Sequence, residues 1–556
     1  MRLSALVLLA LSLSLSPALR AATSSTPTES ARPSWPNREV PDFNVMNNDD
    51  GDWLCVSSDP EVSRRAMERA IDEVSGTAIK THVQCVALGS DVMYYPTKVA
   101  NIVGWGPLRK PQEHVAKAKA CIDAGLDPIR VVGERARKNG MKFVPSYRLN
   151  DAHFAREPEG HYATSKFWVD NHEKMALPNN RLDFSHPEVR EFRLATINEV
   201  IDRYGDISDG FELDFTRHGM FFPAAEAKSK APLLTEMVAA TRARLDELEK
   251  KTGRPCFLIA RVWATLDDCT KSGIDVESWM KRRLIDVVIP AQLYSTSFDM
   301  PIDQFVKIAK PAGVKVYPCL YERSVYNWPL VRKPTANDYL GEPSYRPKIP
   351  MYVGAAATYR ALGADGFEMY NFRVPLGTLG NDVQRLLSTP AALNGQDRAY
   401  VITPAEGSAA KLPTFQDRPT IPAKLPPGKP VDLSFTVGDN LASKDTTSPA
   451  AIVLRLGFRG ESIGADTKLR VTLNGTDLHE GAAGAAMIAT DPKAAGLSTF
   501  GTAPAALFQM APPDTASIKQ GVNALRIELL GGLAKDLSVT EVQLGVFYDD
   551  RFNTRI

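Results

Sequence analysis

The stretch DGFELDFTRH at 209–218 returns later in the chain as DGFEMYNF at 365–372. Both are short apolar runs with acids at alternate positions, a pattern that predicts buried β-strands. Side chains two residues apart in a strand share a face, so Glu212 and Asp214 point one way and the apolar residues between them point the other. Glu368 has the place in the second stretch that Glu212 has in the first. Because buried acids are costly unless they are paired, these positions indicate a function.

Eight short apolar runs, including the two DGFE stretches, alternate with helical patterns. The other six are FNVM (43–46), THVQCVAL (81–88), MKFVPSYRL (141–149), CFLIARVWA (256–264), IDVVIPAQLY (285–294) and VKVYPCLYE (314–322). Amphipathic helices are predicted between them, among others at 187–204, 231–251 and 352–362. Eight strand–helix units predict an α/β fold, a (β/α)8 TIM barrel over residues 42–403. A doubly wound open sheet is the alternative, but no G-x-G-x-x-G or phosphate-binding loop follows a strand.

The pattern changes towards the C-terminus. Seven prolines with Lys, Gly and Ser predict a linker at 404–430. From 431 to 556 apolar residues alternate with period two between Gly, Asn and Asp turns, which predicts an antiparallel β-sandwich. The segments LRVTLNGTDL (469–478) and GVNALRIELL (521–530) resemble jelly-roll, carbohydrate-binding modules of secreted sugar-active enzymes. Such sandwiches also serve as lids or spacers, and this alternative stays open.

The first residues predict export. Residues 1–22 hold one Arg near the start, then an apolar run too short to span a membrane, then small residues, as in a secretory signal peptide. A flexible leader rich in Ser, Thr and Pro is expected at 23–41. We therefore predict a secreted or periplasmic protein with no membrane span in the mature chain. An uncleaved anchor is the alternative.

Composition narrows the partners. The 66 basic and 65 acidic residues nearly cancel, so no electrostatic footprint for nucleic acid is present, and an uncharged small ligand suits such a surface. The eight histidines and six cysteines show no metal-ligand spacing, so we expect no metal and no cofactor. The cysteines are either buried thiols or, after export, members of one or two disulfides. The sequence does not indicate which oligomeric state the protein adopts.

Candidate site residues follow from the strand ends, because the active sites of barrel enzymes lie at the C-terminal ends of the strands. Aromatic rings on which a pyranose stacks, and charged or amide groups that bind its hydroxyls, gather there and predict a carbohydrate substrate. The candidates are Tyr147, Arg148, Glu212, Asp214, Arg217, His218, Arg261, Trp263, Gln292, Tyr294, Tyr321, Glu322, Glu368 and Tyr370.

Hydrolysis of a glycosidic bond needs two carboxyl groups, one protonated and one ionised. We expect Asp214 to be the nucleophile or general base and Glu322 the general acid, with Glu368 as the alternative acid. Glu212 and Glu368 would form an inner acidic floor held by Arg261, which raises the pKa of a neighbouring carboxyl. The other candidates bind substrate. Alternatively, Glu212 and Glu368 are structural partners of buried arginines.

The segment RLDFSHPEVREFRLATINEVIDRYGDISDGFELDFTRH at 181–218 resembles a family of secreted bacterial glycosyl hydrolase-like (β/α)8 barrels related to glycosyl hydrolase-like family ten. There a stretch of the type LDPxNPEVRxYLxxxIxEIVxxYDVDGIxLDxxRxP leads into strand four. The matching residues are Asp183, Pro187, Glu188, Val189, Arg190, Tyr204, Asp209, Gly210, Leu213, Asp214 and Arg217. The resemblance implies a barrel with Asp214 in its site. Many members carry a second acid directly after that Asp, where this chain has Phe215.

Three functions compete. The leading prediction is a glycoside hydrolase that cleaves a polysaccharide or oligosaccharide. The second is a non-catalytic glycan-binding barrel with a carbohydrate-binding sandwich, which would account for the missing second acid. The third is a lyase or transferase that uses the same pocket. Two carboxyl groups about 5 to 10 Å apart across a cleft would favour hydrolysis, whereas acids that are all held by arginines would favour binding.

Overall fold

The structure is a computed structural model that describes residues 45–48, 51, 53–89, 91–106, 113–153, 155, 164–178, 180–217, 219–292, 296–322, 349–372, 377–403, 421–441, 448–464, 466–478, 486–489, 505–510 and 514–548. These residues all fall in one unit, 40–556. Among them, no helix combines the length and the apolar character needed to cross a bilayer.

A parallel sheet occupies the N-terminal part of the described chain. Its strands are β1 (Val45–Asn48), β2 (Thr81–Cys85), β6 (Lys142–Arg148), β7 (Gly210–Asp214), β8 (Phe257–Trp263), β9 (Val287–Ala291), β10 (Lys315–Val316), β11 (Cys319–Tyr321) and β12 (Glu368–Tyr370). Their order in the sheet is β10-β9-β8-β7-β6-β2-β1-β12-β11, and every neighbouring pair is parallel. Seven of the eight predicted apolar runs therefore contain a parallel strand, and the run at 43–46 overlaps β1 by two residues.

Helices alternate with these strands. They are α1 (Pro60–Ser75), α2 (Glu113–Asp123), α3 (Pro128–Lys138), α4 (Lys166–Met175), α5 (Pro187–Tyr204), α6 (Ala227–Thr252), α7 (Leu266–Lys271), α8 (Val276–Lys281), α9 (Ile302–Ala312), α10 (Ile349–Ala361) and α11 (Thr378–Leu387). The helix predicted at 187–204 is α5. The helix predicted at 231–251 lies within α6, and the one predicted at 352–362 overlaps most of α10. Local signals set the ends: the Asp59 carboxylate accepts the N–H groups of Glu61 and Val62 at the start of α1, and Gly253, at φ 68°, ends α6.

The repeated DGFE letters have a common structural cause. Asp209 accepts the backbone N–H of Phe143 at 2.9 Å and pairs with Arg137 at 3.0 Å. Asp365 likewise accepts the N–H of Val316 at 3.0 Å and pairs with the Lys315 ammonium at 2.9 Å. Each Asp thus holds the start of a strand that precedes its own in the sequence.

The glycines of the two stretches allow close packing. A Cβ at Gly210 would lie 2.3 Å from the Phe257 carbonyl oxygen of β8, and one at Gly366 would lie 2.9 Å from the Tyr317 ring. The next residues, Phe211 and Phe367, are buried in the apolar core. The glutamates follow on the opposite face. In both stretches the Asp therefore anchors a preceding strand, the Gly allows a neighbouring residue to pack closely, the Phe lies in the apolar core and the Glu lies on the opposite face.

The two faces of the parallel sheet differ in chemistry. One face packs against the helices through apolar side chains such as Leu258, Ala260 and Val262 of β8. The other is buried too, but it carries charged groups, among them Glu212 and Arg261. Because both faces are buried, β7 and β8 are inaccessible at every position, as is typical of parallel strands.

Three short strands follow β2: β3 (Ala87–Leu88), β4 (Val92–Met93) and β5 (Asn101–Ile102). They form a small sheet of their own, with β3 antiparallel and β5 parallel to β4. The sequence did not predict this excursion, since its runs are only two residues long.

The C-terminal strands are antiparallel. They are β13 (Arg398–Val401), β14 (Ala423–Lys424), β15 (Val431–Val437), β16 (Ala451–Glu461), β17 (Lys468–Leu473), β18 (Thr476–Asp477), β19 (Ala486–Ala489), β20 (Ala505–Met510), β21 (Gly521–Gly531) and β22 (Lys535–Phe547). Their order is β13-β22-β16-β20-β19-β17-β21-β15, with β14 on β22 and β18 on β17. Single 3₁₀ turns lie at Pro390–Leu393 and Asp514–Ser517. The described residues thus form a mixed α/β protein with one parallel sheet and antiparallel sheets.

The antiparallel strands reach back across the predicted linker. β13 falls inside the predicted barrel range and β14 inside the predicted linker, yet both pair with β22. Helix α10 packs closely on these strands, since a Cβ at Gly354 would lie 2.1 Å from the Ala399 oxygen and one at Gly438 would lie 2.3 Å from the Ala357 carbonyl carbon. The predicted domain boundaries at 403 and 430 remain predictions.

All six cysteines lie within the described residues, and all six are buried free thiols. Cys55 and Cys121 are the pair in contact, since their side chains hydrogen bond, and Cys121 also donates to the Ser57 carbonyl at 3.2 Å. Of the two alternatives for the cysteines, the structure contains the buried thiols.

Candidate active site

The charged face of the parallel sheet gathers carboxyl groups around one arginine. Strand register places Asp214 beside Arg148 on one side and Arg261 on the other, and Glu212 beside Ser146. Glu368 enters from β12, where it pairs in register with Cys319. These side chains come from five strands and meet because all of them belong to the same face.

Arg261 is the centre of the cluster. Its Nε donates to Glu368 Oε2 at 2.9 Å, and its Nη1 lies 3.4 Å from both oxygens of Asp214. Nη2 lies 3.4 Å from Cys319 Sγ, and the guanidinium carbon lies 3.8 Å from the centroid of the Tyr370 ring. A buried guanidinium with two carboxylates and an aromatic face is well compensated for its loss of water.

Asp214 is held by its own loop. Its Oδ1 accepts the Thr216 N–H at 2.8 Å, the Thr216 hydroxyl at 2.7 Å and the Arg217 N–H at 3.3 Å. The Thr216 hydroxyl is also in contact with Arg261. These donors fix the carboxylate in one orientation at the C-terminal end of β7.

Glu212 lies one layer deeper and is completely buried. Its Oε1 accepts the Ser146 hydroxyl at 2.6 Å. Burial, and then the negative charges of Glu368 and Asp214, raise the pKa of Glu212 well above its ordinary value of 4.5. Burial also raises the pKa of Glu368, although Arg261 opposes the shift. The cluster therefore combines a carboxyl whose pKa is raised, that of Glu212, with two carboxyls that contact a cation.

A second polar chain runs along the ends of β6 and β7. Arg148 Nη1 pairs with Asp151 Oδ2 at 3.0 Å, and Asp151 Oδ1 accepts His153 Nδ1 at 2.5 Å. Arg217 Nη2 donates to His153 Nε2 at 3.0 Å. Since the Arg217 backbone also binds Asp214, this chain connects with the carboxylate cluster. Arg148 and Arg217 are predicted site residues, and the structure brings them together with Asp214.

Tyr147 does not join the cluster. It lies on the opposite face of β6, where its hydroxyl donates to Asp91 and the Arg193 guanidinium lies 5.9 Å from its ring centroid. Burial raises the pKa of its hydroxyl well above the ordinary value. Tyr147 therefore connects β6 to the β3–β5 excursion and lies away from the carboxylate cluster; its substrate-binding role stays a prediction.

Two predicted residues carry unsatisfied polar atoms. The Trp263 indole Nε1 and the Gln292 side-chain Oε1 are buried and, within the described residues, have no hydrogen-bond partner. Trp263 lies in register with Ala291, the residue before Gln292, so the two side chains start from neighbouring strand ends. A buried N–H and a buried C=O without partners are costly, which is accounted for if a ligand binds there.

The remaining predicted residues divide into three groups. Tyr321 and Tyr370 lie together, with ring centroids 5.5 Å apart. Glu322 directly follows Tyr321 and is buried. His218 and Tyr294 lie outside the described residues.

Several polar residues of the site were missed by the sequence reasoning: Ser146, Asp151, His153, Thr216 and Cys319. Alternation from Arg148 could have found Ser146, which is two residues away on the same face. Thr216 could have been found as a short-range partner of Asp214. No pattern pointed to His153, which follows the strand in a loop. Within the described chain, no group of acidic, His and Cys side chains could hold a metal ion.

Comparison with known proteins adds likenesses of low similarity. No protein-family model matches the chain. No curated protein is similar to it in sequence. Among solved structures, the chain is similar to a noncanonic maltogenic α-amylase from Thermotoga neapolitana, with 12% identity, a TM-score of 0.34 and coverage of 65% of this chain and 80% of that one.

Two further likenesses are of the same grade. A glycoside hydrolase family 18 N-acetylglucosaminidase from Paenibacillus barengoltzii is 11% identical, with a TM-score of 0.34 and coverage of 62% of this chain and 98% of that one. An α-L-fucosidase from Lactobacillus casei is 11% identical, with a TM-score of 0.33 and coverage of 62% and 94%. The three are glycoside-cleaving enzymes by name. TM-scores at this level carry no argument about fold or reaction.

Proposed function

We propose that this protein is a secreted glycoside hydrolase that cleaves O-glycosidic bonds of a polysaccharide or oligosaccharide. The observation that carries the proposal is the cluster of three carboxyl groups at one guanidinium: Asp214 and Glu368 contact Arg261, while Glu212 is completely buried and its pKa is raised by burial and by the other two carboxyls. Glycoside hydrolysis needs neighbouring carboxyls in different protonation states.

The shared guanidinium sets an upper limit on the separation of two of the carboxyls. Asp214 and Glu368 lie on the same guanidinium, so their nearest oxygens are less than about 9 Å apart. Carboxyl pairs of glycoside hydrolases are separated by roughly 5 to 9.5 Å. On this proposal Asp214 is the nucleophile or general base, and Glu322 or Glu368 is the general acid.

The polar groups at the strand ends favour a sugar as the substrate. The Trp263 N–H can donate to a hydroxyl and the Gln292 carbonyl can accept from one. Tyr321 and Tyr370, whose ring centroids lie 5.5 Å apart, supply aromatic surface at the ends of β11 and β12. A pyranose offers both an apolar face and hydroxyls that donate and accept, so it complements this set of groups.

The scaffold proposed for this site is a closed (β/α)8 barrel. The two ends of the strand order, β10 and β11, are separated only by Tyr317 and Pro318. Across this gap the Tyr317 N–H donates to Val288 and the Pro318 carbonyl accepts from Glu368, both at 3.0 Å. One interrupted strand would thus pair with β9 and with β12 and close the sheet. The C-terminal antiparallel strands would form a β-sandwich of the carbohydrate-binding kind, and the chain would be exported through residues 1–22.

A glycan-binding protein without catalytic activity is the second candidate. The observation in its favour is that Arg261 contacts both Asp214 and Glu368, so that both carboxyls are paired with a cation. Phe215 also favours a binding protein, because many members of the family that residues 181–218 resemble carry a second acid at this position. A binding protein would use the same tyrosines and polar atoms but would leave the glycosidic bond intact.

Screening the purified full chain against plant, algal and host glycans separates the two candidates. New reducing ends from at least one glycan, detected by reducing-sugar assay and mass spectrometry, are expected of the hydrolase. Binding in a thermal-shift assay without cleavage, across the whole panel, would support the second candidate instead. Once a substrate is known, the variants Glu322→Gln and Glu368→Gln can identify the general acid. Loss of the general acid should slow the cleavage of substrates with poor leaving groups but should have little effect on substrates with good leaving groups.

A further inference from the structure

His153 is the central member of the polar chain at the ends of β6 and β7. Its Nδ1 lies 2.5 Å from Asp151 Oδ1, and its backbone N–H donates to the same oxygen at 2.9 Å. Its Nε2 lies 3.0 Å from Arg217 Nη2. Asp151 is in turn paired with Arg148 at 3.0 Å and is almost completely buried. The imidazole is thus held on both ring nitrogens.

These partners determine which nitrogen carries the proton. A guanidinium can only donate hydrogen bonds, so His153 Nε2 must accept from Arg217 and cannot carry a proton. The proton of the neutral ring is therefore on Nδ1, which donates to Asp151. The arrangement exists only while the imidazole is neutral, because a second proton would go to Nε2 and face the Arg217 cation.

Arg217 transmits this arrangement to the carboxylate cluster. Its side chain binds His153, while its backbone N–H donates to Asp214 Oδ1 at 3.3 Å. The preceding residue, Thr216, gives Asp214 two more hydrogen bonds. The short loop after β7 is therefore fixed at one end by Asp214 and at the other by His153.

We propose that His153, oriented by Asp151, is a positioning residue that holds Arg217 and the Asp214 loop in the active arrangement, and that protonation of His153 releases Arg217. This inference rests on the proposed glycoside hydrolysis for its effect on rate, but the tautomer and the contact do not depend on it. The loop is then an acid-sensitive part of the site.

The charges around His153 support a neutral ring near pH 7. The groups that face it are Asp151 from its own loop, Arg148 from the end of β6 and Arg217 from the loop after β7. Burial lowers the pKa of His153 below its ordinary value of 6.5; Asp151 opposes this, and Arg217 and Arg148 add to it. The acid limb of activity should accordingly lie below pH 6.5.

Paired substitutions test the positioning role. Gln in His153→Gln offers a side-chain oxygen to Arg217 but does not titrate, whereas His153→Leu offers no acceptor. We expect His153→Leu to lower kcat/KM about 100-fold and His153→Gln by no more than about 10-fold, with kcat more affected than KM. The acid limb of the pH profile should be absent from His153→Gln. His172→Gln, in helix α4, is the matched control and should keep the limb.

A spectroscopic measurement keeps the test independent of any substrate. In the full chain with ¹⁵N-labelled histidine, the signal lost in His153→Gln should show the tautomer protonated on Nδ1 at pH 7. Arg217→Met removes the cation that faces Nε2, so in this variant the ring should take up its second proton at a higher pH than in the wild-type protein. An Nε2-protonated His153 in the wild-type protein would overturn the inference, as would equal rate losses in the Gln and Leu variants with an unchanged acid limb. Absence of cleavage by the wild-type protein would instead count against the proposed function.

Discussion

Arg261 and Glu368 form a completely buried ion pair, with Nε 2.9 Å from Oε2. Arg261 stands on β8 and Glu368 on β12, which are not neighbours in the sheet, so the pair crosses the interior between them. The same guanidinium contacts Asp214. The proposed site depends on this cation, because it holds two candidate catalytic carboxyls in one place.

Replacing Arg261 should therefore destabilise the protein. Arg261→Met removes the cation and leaves Glu368 and Asp214 buried without it, which we expect to lower the free energy of unfolding by about 3 to 5 kcal/mol. Denaturant unfolding measures the change. The control is Arg470→Met, which removes a largely exposed partner of Glu528 and should cost less than about 1 kcal/mol. Equal losses in the two variants would contradict the interior pairing.

Glu212→Gln should gain stability relative to the wild-type protein as pH rises. The folded pKa of Glu212 is raised, so its contribution is fully present below its unfolded pKa near 4.5 and is lost as pH rises through the folded pKa. A glutamine keeps a neutral group in the same space and has no proton to lose. The difference in unfolding free energy, measured from pH 4 to 8, should grow in favour of the variant. A pH-independent difference would show that Glu212 is ionised in the folded protein.

Protonation of the buried His82 should destabilise the protein in acid. It is fully buried, its ring centroid lies 6.1 Å from that of Trp53, and burial lowers its pKa from 6.5 to about 4. The neutral form is required for folding, so its contribution is present above pH 6.5 and is lost as pH falls towards 4, on the order of 3 kcal/mol in all. Thermal melts of the wild type and His82→Phe over this range should diverge. Parallel pH profiles would refute the assignment.

The antiparallel sheet contains its own buried ion pair. Arg455 Nε of β16 lies 3.1 Å from Glu541 Oε1 of β22, and both side chains are buried. Arg455→Met and Glu541→Leu should each lower the unfolding free energy by about 3 kcal/mol, while the double variant Arg455→Met/Glu541→Leu should recover much of it. A double-mutant cycle measures the coupling, and additive losses would rule out a direct pair.

The sequence predicted the parallel strands well because their chemistry is local. Short apolar runs between amphipathic helices were sufficient to place each strand, and the repeated DGFE letters marked where the interior acids enter. The predicted pairing of Glu368 with Arg261 is present. It could be predicted because alternation along each strand placed both side chains on the same face. The closure of the sheet and the roles of the site residues stay proposals.

What could not be predicted depended on long-range geometry. Alternation alone left Tyr147 and Arg148 both as candidates, because a parallel strand is buried on both faces and either one can be the interior. Only the register with β7 assigns Arg148 to the carboxylate cluster and Tyr147 to Asp91. His153 was missed for a related reason: loops follow no period, so nothing in the letters places it against Arg217.

The most direct test of the central claim is the turnover of Asp214→Asn on a glycan that the wild-type protein cleaves. Asparagine keeps the shape of the side chain and can still accept the Thr216 N–H, but it cannot act as a nucleophile or base. We expect kcat/KM to fall on the order of 100-fold or more while the melting temperature stays within a few degrees, with Asp432→Asn, an exposed acid of β15, as the control that keeps activity. Wild-type turnover by a folded Asp214→Asn protein would contradict the assignment of Asp214 as nucleophile or base.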